Sequence, residues 1–174
     1  MMSIRRIITF RNKDLSFVRL LWCRYREEKG ENTDMITTKC VNAKIIGALA
    51  KCGHGDKVLI GSGNFPLDTQ SNPEAEKVYV NLSGGVPTAT QVLEAVLGMV
   101  HAEAAAVICP PQIKETPEVF ADFRRCLGDV ELTRCGRDEF YELCRESGVR
   151  LAIESADLRP FSNILLTVGV VREA

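Results

Sequence analysis

The chain has few histidines and tryptophans, two and one among its 174 residues, so only two imidazole groups are available as general acids or bases. The formal net charge is -1, so no overall field attracts nucleic acid or an anionic membrane, and neither is expected as a partner. No apolar run approaches the roughly 20 residues of a membrane span. The hydrophobic content of 45% and charged content of 26% are ordinary for one soluble globular domain.

Cysteines are more numerous, but no two lie at CxxC spacing, which argues against a zinc ribbon or a redox dithiol. Their odd number and the lack of a secretory signal predict reduced thiols in a cytoplasmic protein. A catalytic thiol would need a base, and only His54 and His101 are available. Neither has further ligands at metal spacing, so no catalytic metal is expected. The seven cysteines of the chain are Cys23, Cys40, Cys52, Cys109, Cys126, Cys135 and Cys144.

Residues 1–34 differ from the rest, with eight basic and five acidic side chains and a net charge of +3. The segment is Arg-rich like a transit peptide, yet poor in Ser and without a clean cleavage signal. A simpler interpretation makes Met35 the natural start and residues 1–34 an extension that is poorly ordered and carries no chemistry. Residues 35–174 would then form the functional domain.

After Met35, apolar runs typical of strands alternate with segments of helical periodicity. Strands are predicted at 57–60, 77–82, 104–109, 130–133, 149–154 and 164–171. Helices are predicted from Asn42 to a stop at Gly53, after a Pro87-containing first turn, and over 117–126 and 137–147. Residues 66–73 are expected to form a loop. The alternation predicts an α/β fold, a single layered domain whose mostly parallel sheet is flanked by helices.

The most informative stretch is 53–66, a buried strand with a polar loop at each end. His54 lies in the first loop between two glycines, where an imidazole could both take and give a proton. Asp56 could fix its tautomer or simply cap the turn, and the sequence leaves both open. In the second loop, Gly61 to Asn64 lacks the full GxGxxG spacing, so a loop near a ligand is favoured over a phosphate cradle.

Three later positions are candidates for binding hydroxyl or carboxylate groups. Arg137 opens a helix, where a cation gains nothing from the dipole, although a solvated surface Arg explains it equally well. Phe161 and Asn163 precede the last strand, and an Asn side chain can both donate to and accept from a sugar hydroxyl. A plain turn is the alternative for this segment. His101, beside Glu103, is interpreted as a dipole partner at a helix end.

In this order, these segments resemble the D-ribose pyranase / L-fucose mutarotase family. The matching motifs are Gly-His-Gly-Asp at 53–56, Asn-Phe-Pro at 64–66, Gly-Val-Pro and its helix at 85–99, Arg-Asp-Glu-Phe-Tyr at 137–141, and Phe-Ser-Asn-Ile-Leu-Leu at 161–166 running into Val-Gly-Val at 168–170. The resemblance covers about residues 38–172.

The resemblance implies a cofactor-free isomerase, a mutarotase that speeds exchange between the ring forms of a free monosaccharide in the cytoplasm. His54 matches the family's catalytic His, and Arg137 matches a position that favours the fucose branch. Asn163 matches a sugar-binding Asn, with Ser62, Phe161, Ser162 and Asp56 as further substrate contacts. Members of the family assemble as rings, commonly decamers, with sites near subunit contacts, which implies a homo-oligomer.

Two positions depart from the family's pattern: Ser62 stands where an Asp is usual and Phe161 where a Tyr is usual. A hydrogen bond to a charged group contributes about 1.5–3 kcal/mol, so one such loss costs roughly 10- to 100-fold. These departures motivate an alternative, a sugar-binding protein of the same fold with little or no turnover. A third hypothesis, an unrelated nucleotide-binding α/β enzyme, predicts that nucleotides raise thermal stability.

Overall fold

The computed structural model describes residues 38–110 and 112–171. The prediction for residues 1–34 therefore lies outside the described residues. The helices are α1 (Ala43–Leu49), α2 (Leu67–Gln70), α3 (Ala89–Leu97), α4 (Val119–Leu127) and α5 (Arg137–Arg145). The strands are β1 (Lys57–Gly61), β2 (Glu76–Tyr79), β3 (Ala102–Ile108), β4 (Leu132–Cys135), β5 (Val149–Glu154) and β6 (Ile164–Val168).

The six strands form one sheet in the order β2-β5-β1-β6-β3-β4. β2, β5 and β1 pair in parallel, as do β3 and β4, whereas β6 runs antiparallel to both of its neighbours, β1 and β3. Five strands thus point one way and the sixth joins the two parallel groups. This confirms the mostly parallel sheet and the α/β class, and it gives the sheet two distinct edges.

We call the edge where the five parallel strands begin the amino edge, and the edge where they end the carboxyl edge. Because β6 runs the other way, it starts at the carboxyl edge and ends at the amino edge. A residue that flanks a strand therefore lies at the edge where that strand enters or leaves the sheet.

Helices cover both faces of the sheet. Successive side chains of a strand point to opposite faces, so the strands contribute to one core cluster on each side. On one face, α1, α3 and α4 contribute apolar side chains such as Leu49, Leu93 and Phe123 to the larger core cluster. On the other face, α2 and α5 contribute Leu67 and Phe140 to a second cluster. Each of these five side chains is at most 4% exposed, so the sheet is a rigid support for its loops.

Several predicted boundaries differ from the structure. Residues 66–73, predicted to be a loop, contain the short helix α2. The Pro, Ser and Asn residues of this segment are typical of turns and led to the loop prediction. Pro87 is not in the first helical turn, because Thr88 is the N-cap of α3 and its side chain accepts from Gln91 N. α1 ends at Leu49, well before Gly53. Within the part of the chain that the structure describes, no helix combines the length and apolarity needed to cross a membrane.

Candidate functional site

His54 lies in a tight turn at the amino edge, just before β1. The carboxylate of Asp56 accepts from Gly53 N at 2.7 Å, and Gly55, whose φ is +85°, donates its N–H to Val168 O at 2.9 Å. Val168 N in turn donates to Asp56 O at 2.8 Å. Asp56 therefore holds the turn that presents His54, and the last residue of β6 anchors that turn to the sheet.

His54 lines an open cavity of about 740 Å³ together with His101, Glu103, Val170 and Val171. Its Nε2 lies 3.0 Å from Glu103 Oε2. The interpretation of His101 as a helix-end partner is wrong, because α3 ends at Leu97 and His101 immediately precedes β3. Sequence reasoning missed both His101 and Glu103 as neighbours of His54, since they are brought there by strand pairing across nearly 50 residues.

Ser62, Phe161, Ser162 and Asn163 lie together at the opposite, carboxyl edge. Asn163 Oδ1 accepts from Ser62 N at 2.7 Å, which joins the exit of β1 to the entrance of β6. The buried Ser162 donates through Oγ to Arg159 O at 2.7 Å. Within the described ranges Asn163 Nδ2 makes no hydrogen bond, whereas the Ser162 hydroxyl is engaged within its own loop.

Phe161 has a φ of +64°, which is unusual for a side chain of this size. Such a conformation persists only where the surroundings impose it, and it often marks a ligand site. Phe161, Pro160 and Arg159 line a cavity of about 350 Å³ whose other wall comes from Ile113 and residues 115–119. Phe161 therefore contributes an apolar surface to a cavity at the carboxyl edge.

Arg137 also lies at the carboxyl edge, as the first residue of α5 directly after β4. Its side chain is exposed. β4 is two strands from β6, or about 10 Å at the usual strand spacing. The structure therefore places Arg137 at the same edge as Asn163 but not beside it.

A second polar group that sequence reasoning missed occupies the carboxyl edge at β2 and β5. Glu154 accepts from Asn81 Nδ2 at 2.9 Å, and Tyr79 donates to Asp68 at 2.7 Å. Burial raises the pKa of Glu154, and the charge of Asp68 adds to the rise while the hydrogen bond from Asn81 opposes it. The hydrogen bond to Asp68 raises the pKa of Tyr79 to about 12. Glu154 pairs in register with Gly61, so this group adjoins Ser62.

A charged network supports the loop that carries Phe161. Arg159 donates to Asp157 at 2.7 Å, to Asp122 at 2.8 Å and to Thr90 at 3.1 Å. Asp157 is 1% exposed and also accepts from Ala89 N, at the start of α3. The network therefore ties the loop after β5 to two helices, which fixes the approach to β6.

The predicted site residues thus fall into two groups. His54 and Asp56 are at the amino edge, and Ser62, Arg137, Phe161, Ser162 and Asn163 are at the carboxyl edge. β1 separates the groups by four residue steps of about 3.3 Å, or roughly 13 Å, which is longer than a monosaccharide. Across the described ranges, no group of three or more His, Cys, Asp or Glu side chains is arranged to hold a metal ion.

The described part of the chain is a layered α/β domain with an exposed His at one edge of the sheet and a group of polar and aromatic side chains at the other. Comparison with protein-family models then places the chain: residues 35–171 match the RbsD / FucU transport protein family, to which the chain belongs.

Relatives agree with this assignment. A D-ribose pyranase of Clostridium novyi is 30% identical over 138 residues, which cover 79% of this chain and 99% of that protein. A D-ribose pyranase of Clostridium perfringens is 26% identical over 137 residues, again 79% of this chain and 99% of that protein. These comparisons confirm the predicted enzyme class, an isomerase of the sugar pyranase and mutarotase type.

Solved structures share the fold. RbsD of Bacillus subtilis complexed with D-ribose has a TM-score of 0.67 at 20% identity, covering 79% of this chain and all of that one. The fucose mutarotase of Streptococcus pneumoniae in complex with L-fucose has a TM-score of 0.66 at 16% identity, with the same coverage. The two neighbours bind different sugars, so the fold by itself does not choose between them.

Proposed function

We propose that this protein is a cofactor-free mutarotase that interconverts the ring forms of a free monosaccharide in the cytoplasm, with His54 as general acid and base. The observation that carries the proposal is His54 itself, held in a rigid turn at the mouth of a cavity large enough for a sugar. Membership of a pyranase and mutarotase family supports the reaction type.

The reaction suits one imidazole. As the bond between the anomeric carbon and the ring oxygen breaks, the base takes the proton of the anomeric hydroxyl and the carbonyl forms. The ring oxygen then receives a proton, and closure on the other face of the carbonyl reverses these steps. A group that titrates near neutral pH serves both directions. Because no electrons are transferred, the reaction balances without a redox partner.

We further propose that the working site lies between two copies of the chain in a homo-oligomer. One sugar cannot contact both His54 and Asn163 of one chain, because a β-strand separates them by roughly 13 Å. A contact that brings the amino edge of one copy to the carboxyl edge of another would assemble His54 with Asn163, Ser62 and Phe161. Asp56, Ser162 and Arg137 complete the proposed set of substrate-binding or supporting residues.

The substrate is proposed to be L-fucose-like because of Arg137. D-ribose is the competing candidate because the D-ribose pyranases are similar over nearly their whole length.

The second candidate function is a sugar-binding protein with little turnover. Its support is Ser62, a buried hydroxyl at the position where the family usually has a carboxylate.

Saturation-transfer NMR between the ring forms of L-fucose and D-ribose tests the function. We expect faster exchange of one sugar with the wild-type protein, and a loss of at least about 100-fold in His54→Ala, since general acid–base catalysis typically contributes that much. Arg124→Ala, an exposed change on α4, is the control and should keep the wild-type rate. Line broadening of a sugar without exchange would instead support the binding protein.

A further inference from the structure

The contact between His54 and Glu103 determines which ring nitrogen is free. Nε2 lies 3.0 Å from Glu103 Oε2, and an ionised carboxylate can only accept. Nε2 must therefore carry the hydrogen in this contact. A neutral imidazole has one N–H, so Nδ1 is left as the acceptor.

A bulge in β3 orients the side chain of Glu103 toward His54. Ala102 pairs with Val168 and Ala104 with Thr167, so the register between β3 and β6 skips Glu103. A bulge of this kind re-aims the side chain of the extra residue. Val168 also anchors the His54 turn through two backbone hydrogen bonds. Val168 of β6 therefore positions both His54 and Glu103.

Gly169 leaves the space that the arrangement needs. A Cβ atom at Gly169 would lie 2.9 Å from Glu103 Cβ and 2.9 Å from His101 Cδ2, and both distances are shorter than real contacts. Gly169 N also donates to His101 O at 2.8 Å. The chain therefore passes close behind the bulge, and a side chain there would displace Glu103.

We propose that Glu103 is a positioning residue that holds the Nε2–H of His54 and thereby makes Nδ1 the atom that exchanges a proton with the sugar. The proposal rests on the proposed function for the role of His54. Nδ1 takes the proton of the anomeric hydroxyl as the ring opens, and it returns that proton to the ring oxygen, so His54 ends in its starting state. Glu103 keeps its contact with the ring throughout and touches no reacting atom.

The test exploits the presence of two histidines in the chain. In protein labelled with ¹⁵N-histidine, long-range proton–nitrogen spectra show two ring systems, and His54→Ala identifies the ring of His54. At a pH of about 8.5, where imidazoles are mostly neutral, the wild type should show His54 as a pure Nε2–H tautomer. Glu103→Ala should show averaging with the Nδ1–H tautomer. Glu103→Gln, which retains an acceptor oxygen, should keep the wild-type pattern.

Exchange kinetics provide the second measurement. Glu103→Ala should lower the rate at saturating sugar about fivefold with KM unchanged, the size expected for an exposed ion pair. Glu94→Gln, a carboxylate of similar exposure in the exposed pair with Lys39, is the matched control and should keep the rate. In a His54→Ala background, Glu103→Ala should have no further effect, because Glu103 acts only through His54.

The proposal is overturned if the His54 tautomer is unchanged in Glu103→Ala, or if Glu103→Ala lowers the rate equally with and without His54. Failure of the proposed function gives a different result. His54→Ala would then exchange sugar at the wild-type rate, while the ring spectra would still report whether Glu103 holds the imidazole.

Discussion

His54 and Asn163 lie at opposite edges of the sheet, although the proposed function assigns both to one sugar. His54 precedes β1 at the amino edge, and Asn163 precedes β6, which starts at the carboxyl edge because it runs antiparallel to β1. Ile60 pairs with Ile164 and Lys57 pairs with Thr167, so the full length of the paired strands separates the two side chains. A single site containing both therefore requires two copies of the chain.

Mixing two inactive variants tests this arrangement. His54→Ala removes the proposed base, and Asn163→Asp keeps the oxygen that accepts from Ser62 N while removing the amide donors. Each variant alone should be inactive. Co-expressed in equal amounts, they should recover about a quarter of the wild-type activity, because random pairing leaves about one interface in four with both intact groups. Mutarotase activity of the purified mixture is the measurement, and no recovery would locate the site within one chain.

Ser62→Asp tests whether position 62 faces the sugar. A carboxylate there should strengthen sugar binding about tenfold, the value of one charge-assisted hydrogen bond of about 1.5 kcal/mol. Ser62→Asn adds similar volume without the charge and is the matched control. KM from exchange kinetics is the readout. An equal loss in both variants would mean that the buried Ser62 side chain packs against protein rather than facing a ligand.

Local patterns were sufficient to predict the strands and the longer helices, because burial imposes a period on each element, as the buried Phe120 and Phe123 of α4 show. They did not predict that β6 would be antiparallel, since strand order depends on pairing between distant segments. The same limit applies to the site. Glu103 joins His54 through the pairing of β3 with β6, and no local feature of either segment indicates this.

Gly169→Ala should destabilise the protein by about 1–3 kcal/mol, the usual cost of overpacking, because its Cβ would overlap Glu103 and His101. It should also slow sugar exchange by disturbing the contact with His54. Gly47→Ala is the matched control: it lies inside α1 with open space around it, so it should stabilise by up to about 1 kcal/mol. Urea denaturation compares the two. Equal stability changes would contradict the close approach behind the bulge.

The Arg159 network makes a prediction about acid stability. Burial opposes ionisation of Asp157, but the hydrogen bonds from Arg159 and from the N–H of Ala89 outweigh it and hold the pKa of Asp157 below its usual value. The hydrogen bond from Arg159 likewise lowers the pKa of Asp122. A carboxyl whose pKa is lowered by folding contributes stability above its unfolded pKa, near 4, and loses that contribution as the pH falls through the folded value.

Arg159→Met keeps most of the apolar stem but removes the charge, leaving the buried Asp157 without its main partner. We expect the free energy of unfolding to fall by about 1–3 kcal/mol at pH 7, a value discounted for the partial exposure of Arg159. The difference between variant and wild type should shrink as the pH falls below about 4, because protonated Asp157 and Asp122 no longer need the cation. Urea denaturation at pH 7 and at about pH 3 measures both values. A difference that stayed constant with pH would mean that Arg159 acts through packing and not through its two carboxylates.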